Sequence, residues 1–371
     1  MKYVKLGDIC SKGVSSLRQK DTLPVGDYPV YGASGICGYL SDYQHNEPYV
    51  AVVKDGAGVG RVQLCSGKSS VLGTLQALLP KEEVNCEYLY EVVRSLNLGD
   101  GFTGSTIPHI YFKDYKNRTV VIYEKEQQTK ITVLFSAVKN VIELHKLAIS
   151  TCDKLVKSRF MEMFGDPVEG CDWNRMRLDD LCSKLGSGAT PRGGKAAYKN
   201  EGVPLIRSMN VYNGYFSWKE LAYIDDNQAK KLNGVTLRKG DVLLNITGAS
   251  VARSCVLPSE LAGGRVNQHV AIIRADQEKI LPVFLNAIFV SESYQHFLLN
   301  GSKMAGATRE AITKQDLKEM TVPIPPLELQ KKFVAFSRQV DKLKFETQQS
   351  IEKLQMLYDS LAQDYFAPEG D

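Results

Sequence analysis

The sequence has no long apolar run and little excess of charge. No stretch approaches the roughly 18–20 consecutive apolar residues of a membrane-spanning helix, and the N-terminal MKYVKLGDIC lacks the apolar core of a signal peptide. The net charge is only +4 over 371 residues, which permits nucleic-acid binding without indicating it. With 43% apolar and 24% charged residues, extended disorder is excluded. We therefore expect a soluble, cytoplasmic protein of two or more domains.

The eight cysteines follow no metal-binding or redox pattern. No Cys-x-x-Cys pair occurs, and none of the five histidines stands at a zinc-like spacing from a cysteine. Structural zinc sites and redox motifs require such spacings. We therefore expect buried, reduced thiols and no metal site.

Catalytic motifs are missing as well. The chain has no Walker A string, no compact PD…(D/E)xK set and no Asn- or Asp-Pro-Pro-aromatic string. The GAGVG string at residues 56–60 resembles part of a dinucleotide fingerprint, but no βαβ pattern with a downstream acid follows it, so we interpret it as a β-turn. His145 falls on an apolar helical stripe and is interpreted as a packed or interfacial residue rather than a ligand. We expect no catalytic residue and no cofactor bound by this chain.

What the sequence does contain is an internal repeat. GSTIPHIYFKDYKNRTVVIYEKEQQ at Gly104 matches GATREAITKQDLKEMTVPIPPLELQ at Gly306, an offset of 202 residues. Upstream, GAGVGR at Gly56 matches GASVAR at Gly248 at an offset of 192, and LGDICSKG near the N-terminus matches LDDLCSKLG at an offset of 172. The blocks keep their order while the stretches between them differ. This pattern indicates one module used twice, with parts that diverged.

Each module has the pattern of a β-rich mixed α/β domain. VGDYPVYGASGICGYL in the first module and GDVLLNITGASVARSCVL in the second alternate β-branched or aromatic runs with glycine turns. EYLYEVVRSLN and PVFLNAIFVSESYQHFLLNG have helical spacing, and the second is predicted to be one helix that ends at Gly301. We therefore predict an α+β fold with a pseudo-two-fold internal repeat.

A long helix follows each module. No Gly or Pro interrupts residues 124–164, and PIPPLELQ opens a second uninterrupted run, with prolines that suit a first helical turn. On the first helix, apolar residues recur every seven positions from Phe135 to Met163 beside another apolar stripe, which makes a wider face than a two-stranded coiled coil needs. If the helices pair antiparallel, about 35 residues at about 1.5 Å each form a coiled-coil-like spacer of about 50 Å.

This order of segments resembles the specificity (S) subunit of type I restriction–modification systems over essentially the whole chain. The resemblance rests on GSTIPHI before the first helix, SRFMEMFGDP at its end and TVPIPPLELQKKF at the start of the second. Two departures are that IYEKEQQ lacks the prolines of PIPPLELQ and that GATREAI lacks the Ile-Pro of GSTIPHI. The resemblance implies target-recognition domains at 1–123 and 170–324, each reading half of a split DNA site, and long helices at 124–166 and 325–367.

The resemblance also implies partners. Two methyltransferase (modification) subunits would dock on the helices, and restriction (motor-nuclease) subunits would join the full complex. S-adenosylmethionine, ATP and Mg²⁺ would bind to those partner subunits. Because the two modules differ, the double-stranded DNA target should be asymmetric and bipartite. The alternatives are a protein adaptor that does not bind DNA and a stand-alone methyltransferase or nuclease fusion, which the missing motifs disfavour.

Loops that face DNA should combine Arg or Lys for phosphates with Arg, Asn, Gln or Ser for base edges. The candidates are Lys54, Arg61, Lys68, Ser105 and His109 in the first module, and Arg192, Lys195, Arg207, Asn210, Arg253, Asn267, Gln268, Lys303 and Arg309 in the second. The alternative for each is a solvated surface residue. Arg61 and Arg253 match across the repeat, which favours shared architecture or phosphate contact, so that sequence reading should fall in unmatched stretches, chiefly 13–48 and 185–240.

Contacts with the modification subunits are predicted on the second apolar stripe of the first helix and on the last helix. The residues are Phe135, Ile142, Ile149, Val156, Phe336 and Leu343. The alternative is that the helices and the modules cover these side chains themselves.

Overall fold

The same arrangement of strands occurs twice along the chain. The computed structural model describes residues 1–101, 108–190, 197–300 and 311–367. The chain divides into two compact units, one of Met1–Leu147 with the chain from Thr347 onward and one of Ala148–Glu346. Both boundaries fall inside the long helices, so each unit contains part of each helix.

In the described part of the first unit, short strands alternate with few helices. The strands are β1 (Lys2–Lys5), β2 (Cys10–Lys12), β3 (Tyr28–Gly32), β4 (Gly35–Leu40), β5 (Tyr49–Val53), β6 (Val62–Cys65), β7 (Ser70–Val71), β8 (Leu75–Pro80) and β9 (Thr119–Ile122). The helices are α1 (Leu6–Ile9), α2 (Cys86–Ser95), α3 (Phe112–Tyr115) and the long α4 (Lys125–Phe164), with 3₁₀ turns at Gln19–Asp21 and Leu98–Gly101.

Three sheets organise the first unit. A four-stranded antiparallel sheet has the order β2-β8-β5-β6, a three-stranded sheet has the order β4-β3-β7 with β3 and β7 parallel, and β1 pairs with β9. The central strand β5, YVAVV, is buried along its whole length, as expected for a run of β-branched and aromatic residues covered on both faces. Because β9 precedes α4 directly, its pairing with β1 fixes where the long helix leaves the unit.

The second unit repeats these strands with insertions. Its strands are β10 (Arg175–Arg177), β11 (Cys182–Ser187), β12 (Val203–Ile206), β13 (Val211–Tyr212), β14 (Tyr215–Phe216), β15 (Ala222–Ile224), β16 (Val242–Asn245), β17 (Ser254–Val256), β18 (Arg265–Val266), β19 (Val270–Ala275) and β20 (Thr321–Pro323). Its helices are α5 (Leu178–Leu181), α6 (Asp226–Lys231), α7 (Pro282–Phe289), α8 (Glu292–Asn300), α9 (Lys314–Glu319) and the long α10 (Leu327–Phe366), with 3₁₀ turns at Ser208–Asn210, Asn233–Val235, Gly248–Ser250 and Ser259–Leu261.

The sheets of the second unit correspond to those of the first. The order β11-β19-β16-β17 matches the four-stranded sheet, β15-β12-β18 matches the three-stranded sheet and keeps one parallel pair, and β10 pairs with β20. The β13–β14 hairpin has no counterpart among the described strands of the first unit. It lies in the 185–240 stretch where the two halves of the sequence do not match.

Each unit has its own core, into which parts of both long helices pack. In the first unit Phe135 of α4 lies 4.8 Å from Tyr358 and 5.5 Å from Phe366 of α10, measured between ring centroids. In the second unit Phe160 of α4 lies 5.5 Å from Phe333 of α10. In the second unit Asp153 of α4 also pairs with Lys344 of α10, and in the first Lys139 lies near Tyr358. In each unit the later α4 residue therefore contacts the earlier α10 residue, so the helices run antiparallel there.

A buried glutamine joins each long helix to its unit at matched positions of the repeat. In the first unit Gln128 Oε1 accepts the N–H of Asn85 at 2.9 Å, and Asn85 caps α2. In the second unit Gln330 Oε1 accepts the N–H of Leu281, just before α7, at 2.9 Å. Each glutamine also donates from Nε2 to two backbone carbonyls. Glutamine therefore occurs at both matched positions of the repeat because it makes the same backbone hydrogen bonds in each unit.

One predicted helix is two helices. The run PVFLNAIFVSESYQHFLLN forms α7 and α8, which are separated at Val290 and Ser291. The Ser291 hydroxyl and N–H both donate to the Ile288 carbonyl, at 2.7 and 3.1 Å. A serine that bonds locally in this way competes with helix continuation, so the prediction of one continuous helix was wrong. Helix α8 ends at Asn300, the last described residue before the predicted stop at Gly301.

Candidate nucleic-acid interface

A turn with the same backbone bonding joins β5 to β6 and β16 to β17. In the second unit the Ala252 N–H donates to the Asn245 carbonyl at 2.9 Å, and the Asn245 N–H donates to the Arg253 carbonyl at 2.8 Å. In the first unit Gly60 and Arg61 make the same two bonds with the last residue of β5, at 2.8 and 2.9 Å. The repeat therefore places one arginine at the same point of the backbone in both units.

The residue before each arginine has a left-handed backbone conformation. Gly60 has a φ of +82° and Ala252 a φ of +72°. Left-handed backbone costs an alanine roughly 1–2 kcal/mol, but the Ala252 methyl group is fully buried in the second unit's core, which offsets part of that cost. The turn is retained in the second unit despite this strain.

Three segments that are far apart in the sequence meet beside this turn in the second unit. They are the Ser208–Asn210 turn with β13, the β16–β17 turn, and the loop before β19. Together they surround a cavity of about 380 Å³, lined by Ser208, Met209, Tyr212, Thr247, Gly248, Ala249, Ser250, Arg253 and His269. All three segments contain candidates that were predicted from sequence, and the fold brings Arg253 close to Asn210 and to the loop of Gln268.

Arg253 is held against aromatic rings at this cavity. Its guanidinium carbon lies 4.7 Å from the centroid of the Tyr212 ring. The Tyr212 ring in turn stacks on Tyr215 across the β13–β14 hairpin, at 5.0 Å and an interplanar angle of 13°. A cation over a tyrosine face is stabilised by the ring quadrupole. The β13–β14 hairpin, which has no counterpart among the described strands of the first unit, therefore orients the arginine that both units share.

Gln268 and His269 form a hydrogen-bonded chain at the edge of the cavity. Gln268 Nε2 lies 3.2 Å from His269 Nε2, and His269 Nδ1 lies 2.6 Å from Thr247 Oγ1. An amide nitrogen can only donate, so Nε2 of the imidazole accepts and Nδ1 carries the proton. Gln268 Oε1 accepts from the Thr190 hydroxyl. The exposed Gln268 is thus positioned from both sides.

Asn245 braces the site from beneath. It is fully buried, and its Nδ2 donates to the Ser208 carbonyl at 2.8 Å and to Ser250 Oγ at 3.1 Å. One side chain therefore connects the two turns that flank Arg253. Asn245, Tyr212 and Thr247 were not predicted from sequence; an asparagine at the end of an apolar strand, LLN, was the available signal.

Two predicted base-reading side chains are occupied inside the fold. Asn210 has no accessible surface, and its Nδ2 donates to the carbonyls of Ser217 and Lys219 at 2.9 and 3.1 Å. Asn267 is 5% exposed, and its Oδ1 accepts the His269 N–H at 3.1 Å. Both asparagines shape loops, as their short amides commonly do, so we do not retain them among the proposed DNA contacts.

Arg207 is half-buried and partly engaged within the second unit. Its guanidinium carbon lies 5.4 Å from the Tyr198 ring centroid, and its Nη2 donates to the Glu220 carbonyl. Its backbone N–H donates to Asn210 Oδ1 at 3.1 Å. Arg207 lies one residue before the Ser208–Asn210 turn and so adjoins the cavity without being among its lining residues.

In the first unit, the structure brings Lys54, Arg61 and His109 together around the β5–β6 turn. Asp55 pairs with His109 in a β-bridge, and the Lys54 carbonyl accepts the N–H of Ile110 at 2.9 Å. Arg61 is exposed and lines an open cavity of about 660 Å³ together with the β3–β4 turn at residues 33–35. Lys68 lies elsewhere, beyond the opposite end of β6.

Five predicted contacts lie outside the described residues. They are Ser105, Arg192, Lys195, Lys303 and Arg309. Described residues next to two of these segments lie close to the cavity of the second unit. Thr190 bonds Gln268 at its edge, and Ala311 pairs with the lining residue Thr247 in a β-bridge.

The predicted partner stripe of α4 is covered by the chain itself in the first unit. Phe135 and Ile142 are buried, at 0% and 7% exposure, in a core shared with α10. In the second unit Ile149, Val156 and Phe336 are half-buried, and only Leu343 is well exposed, at 53%. The prediction that Phe135 and Ile142 face a partner is therefore corrected: the second stripe faces the fold.

A different face of α4 exposes apolar side chains in the first unit. Val133, Leu134, Val141 and Leu144 are 63%, 37%, 37% and 63% exposed. At 100° per residue they share one side of the helix. A contiguous exposed apolar face of this kind is a candidate interaction surface.

Within the described ranges, no group of three or more His, Cys, Asp or Glu side chains could hold a metal ion. Burial raises the pKa of the Cys10, Cys65, Cys182 and Cys255 thiols to about 12, which keeps these thiols protonated and unreactive at neutral pH. No helix in the part of the chain that the structure describes is long and apolar enough to span a bilayer.

Comparison with known proteins identifies the family. The model of the type I restriction modification DNA specificity domain matches residues 1–151 and 171–356. The type I restriction enzyme MjaVIII specificity subunit of Methanocaldococcus jannaschii is 23% identical over 329 residues, which cover 83% of this chain and 76% of that protein.

Two solved structures share the fold. The S subunit of the type I restriction–modification system of M. genitalium matches with a TM-score of 0.57 at 13% identity, covering 99% of this chain and 96% of that one. A chain from a study of complex assembly and conformational transition of the type I R-M system matches with a TM-score of 0.59 at 18% identity, covering 98% and 97%. With the family's domain matched once in each half, this chain belongs to the DNA specificity (S) subunits of type I restriction–modification systems.

Proposed function

We propose that this chain is the DNA-reading subunit of a type I restriction–modification enzyme, that it binds an asymmetric bipartite duplex, and that it carries out no chemistry itself. The observation that carries the proposal is one turn used twice in different surroundings. Arg61 and Arg253 occupy the same backbone position, but Arg253 lies on Tyr212 beside His269, while Arg61 lines a cavity with residues 33–35. Because the surfaces around these two equivalent arginines differ, we expect the two units to bind half-sites of different sequence.

The proposed contacts divide by chemistry. Lys54 and Arg61 in the first unit provide charges suited to phosphates, and His109 lies beside them. In the second unit Arg253 and Gln268 provide groups suited to base edges, and Arg207 adjoins them. Ser105, Arg192, Lys195, Lys303 and Arg309 stay predicted contacts from the sequence.

Two modification subunits are proposed to dock on the long helices. The exposed face of α4 with Leu134, Val141 and Leu144 supports this, because an apolar stripe gains stability when a partner covers it. In this scheme S-adenosylmethionine binds the modification subunits, and ATP with Mg²⁺ binds the restriction subunits. Methyl transfer by the purified chain alone would overturn the non-catalytic role.

The test is binding of the purified chain, with and without its modification subunits, to duplex DNA that contains the target motif. We expect specific binding whose log K falls linearly with log salt concentration, because phosphate neutralisation releases counterions. Scrambling either half-site should abolish the specific component. Binding that is equal for all sequences, or no binding at all, would favour the protein adaptor instead.

A further inference from the structure

We propose that Arg253 reads a guanine in the half-site bound by the second unit. This inference rests on the proposed function and adds to it one residue and one base. It starts from the position of Arg253, whose guanidinium lies over the Tyr212 ring at 4.7 Å and lines the cavity of about 380 Å³.

The Arg253 guanidinium donates to none of the residues that the structure describes. Other arginines of the second unit are engaged: Arg274 pairs with the buried Asp241 at 2.7 Å, and Arg265 donates to backbone carbonyls. Among the described residues, the Arg253 side chain makes no hydrogen bond or ion pair, and no carboxylate lines its cavity. With respect to the described residues, the five guanidinium donors of the half-buried Arg253 are therefore available to acceptors on a ligand.

The backbone beneath Arg253 is fixed. Asn245 bonds the backbone on either side of the Ala252–Arg253 peptide, at 2.9 and 2.8 Å, and its side chain connects Ser208 to Ser250. Ala252 keeps its left-handed φ of +72°, and strained backbone persists where the surroundings over-determine it. Arg253 is thus preorganised, which lowers the entropy lost when it binds.

The match of Arg253 with Arg61 across the repeat predicted shared architecture or phosphate contact, but the preorganisation of Arg253 favours a base over a phosphate. A phosphate contact needs positive charge, which a mobile lysine also supplies, whereas guanine offers two acceptors, O6 and N7, in one plane of the major groove. A guanidinium held on an aromatic face presents its planar fork to such a pair. Arg61 provides the comparison, because it has the same backbone position and, among the described residues, no aromatic ring beneath it.

The experiment uses the complex of the full chain with its modification subunits. This complex binds a pool of DNA duplexes in which every half-site position of the wild-type motif is randomised, and the bound duplexes are sequenced. We expect the wild type to require guanine at one position of the second unit's half-site. Arg253→Lys should reduce that preference roughly tenfold or more, while the preferences at other positions persist. Tyr212→Leu should weaken the preference for guanine at the same position. Arg238→Lys, at an exposed arginine of the second unit that does not line the cavity, should leave it unchanged.

Each outcome has one meaning. Uniform weakening by Arg253→Lys across all sequences would make Arg253 a phosphate contact, and an unchanged selection would make it no contact; either overturns the inference while the proposed function stands. A wild-type complex that selects no motif contradicts the proposed function instead. If Arg253→Lys fails to fold, the Tyr212→Leu selection decides, and an unaltered guanine preference there counts against the inference.

Discussion

Gly60 shows how strictly a single residue determines the repeated turn. Its φ is +82°, and a Cβ added there would lie 2.1 Å from the Gly99 backbone nitrogen. In the second unit Ala252 adopts the same conformation, but its methyl group packs in the core. The same backbone is therefore reached with different side chains because the surroundings of the turn differ.

We expect Gly60→Ala to lower the free energy of unfolding by about 3 kcal/mol, from left-handed strain and from overpacking against backbone. Gly58→Ala, in the same turn, is the matched control, because its Cβ would meet only the Arg61 side chain at 3.5 Å. Chemical denaturation of both variants measures the difference. Equal stability of the two variants would show that the turn relaxes freely.

At the residue scale, the sequence identified polar and charged residues that could contact DNA, but it did not show which of them are buried. Arg253 and Gln268 were predicted, and they lie at or beside one cavity. Asn210 and Asn267 were predicted by residue type alone, and both are buried in hydrogen bonds to the backbone. Tyr212 was missed because its role depends on a hairpin that brings it to a residue 41 positions away, which no local pattern encodes.

At the element scale, the junction of each long helix rests on one glutamine. Gln330 is fully buried and bonds three backbone groups. We expect Gln330→Leu to lower the free energy of unfolding of the second unit by about 2–3 kcal/mol, because it leaves a buried N–H and two carbonyls unpaired. Gln339→Leu on the exposed side of α10 should change it by less than about 0.5 kcal/mol. Thermal unfolding measures both variants, and similar losses of stability would show that Gln330 does not hold the junction of α10 with the second unit.

The exposed face of α4 gives a second prediction for an element. Leu134→Asp with Leu144→Asp should weaken binding of modification subunits at least about tenfold, because charge at an apolar interface core must be desolvated. Ser150→Asp, on a different side of α4 and also exposed, is the control for an added carboxylate. Titration calorimetry measures the affinity, and circular dichroism confirms folding. Undiminished affinity would exclude this face. Ile142→Asp cannot serve as a test, since Ile142 lies in the core.

Elements were predictable where local signals are unambiguous. The absence of Gly and Pro predicted both long helices. They run Lys125–Phe164 and Leu327–Phe366, and each begins and ends within one or two residues of the predicted ranges 124–166 and 325–367. The apolar periodicity could not tell which stripe of α4 faces the fold, because both stripes are apolar. The break between α7 and α8 was not predicted, because it depends on the local hydrogen bonds of one residue, Ser291.

At the scale of the whole molecule, the two units repeat one topology with different loops. Replacing residues 171–322 by the equivalent segment of another family member should change one half-site and leave the other intact, because each unit has its own core. Sequencing of methylated genomic DNA from cells with the chimera reads both half-sites at once. A change in both would contradict independent reading by the two units.

The most direct test of the account is methylome sequencing of cells that carry this chain with its modification subunits, compared with cells that lack this chain. The account predicts one methylated motif that depends on the chain and consists of two unlike half-sites separated by a fixed gap of unspecified bases. A contiguous or palindromic motif, or methylation that persists unchanged without the chain, would contradict it.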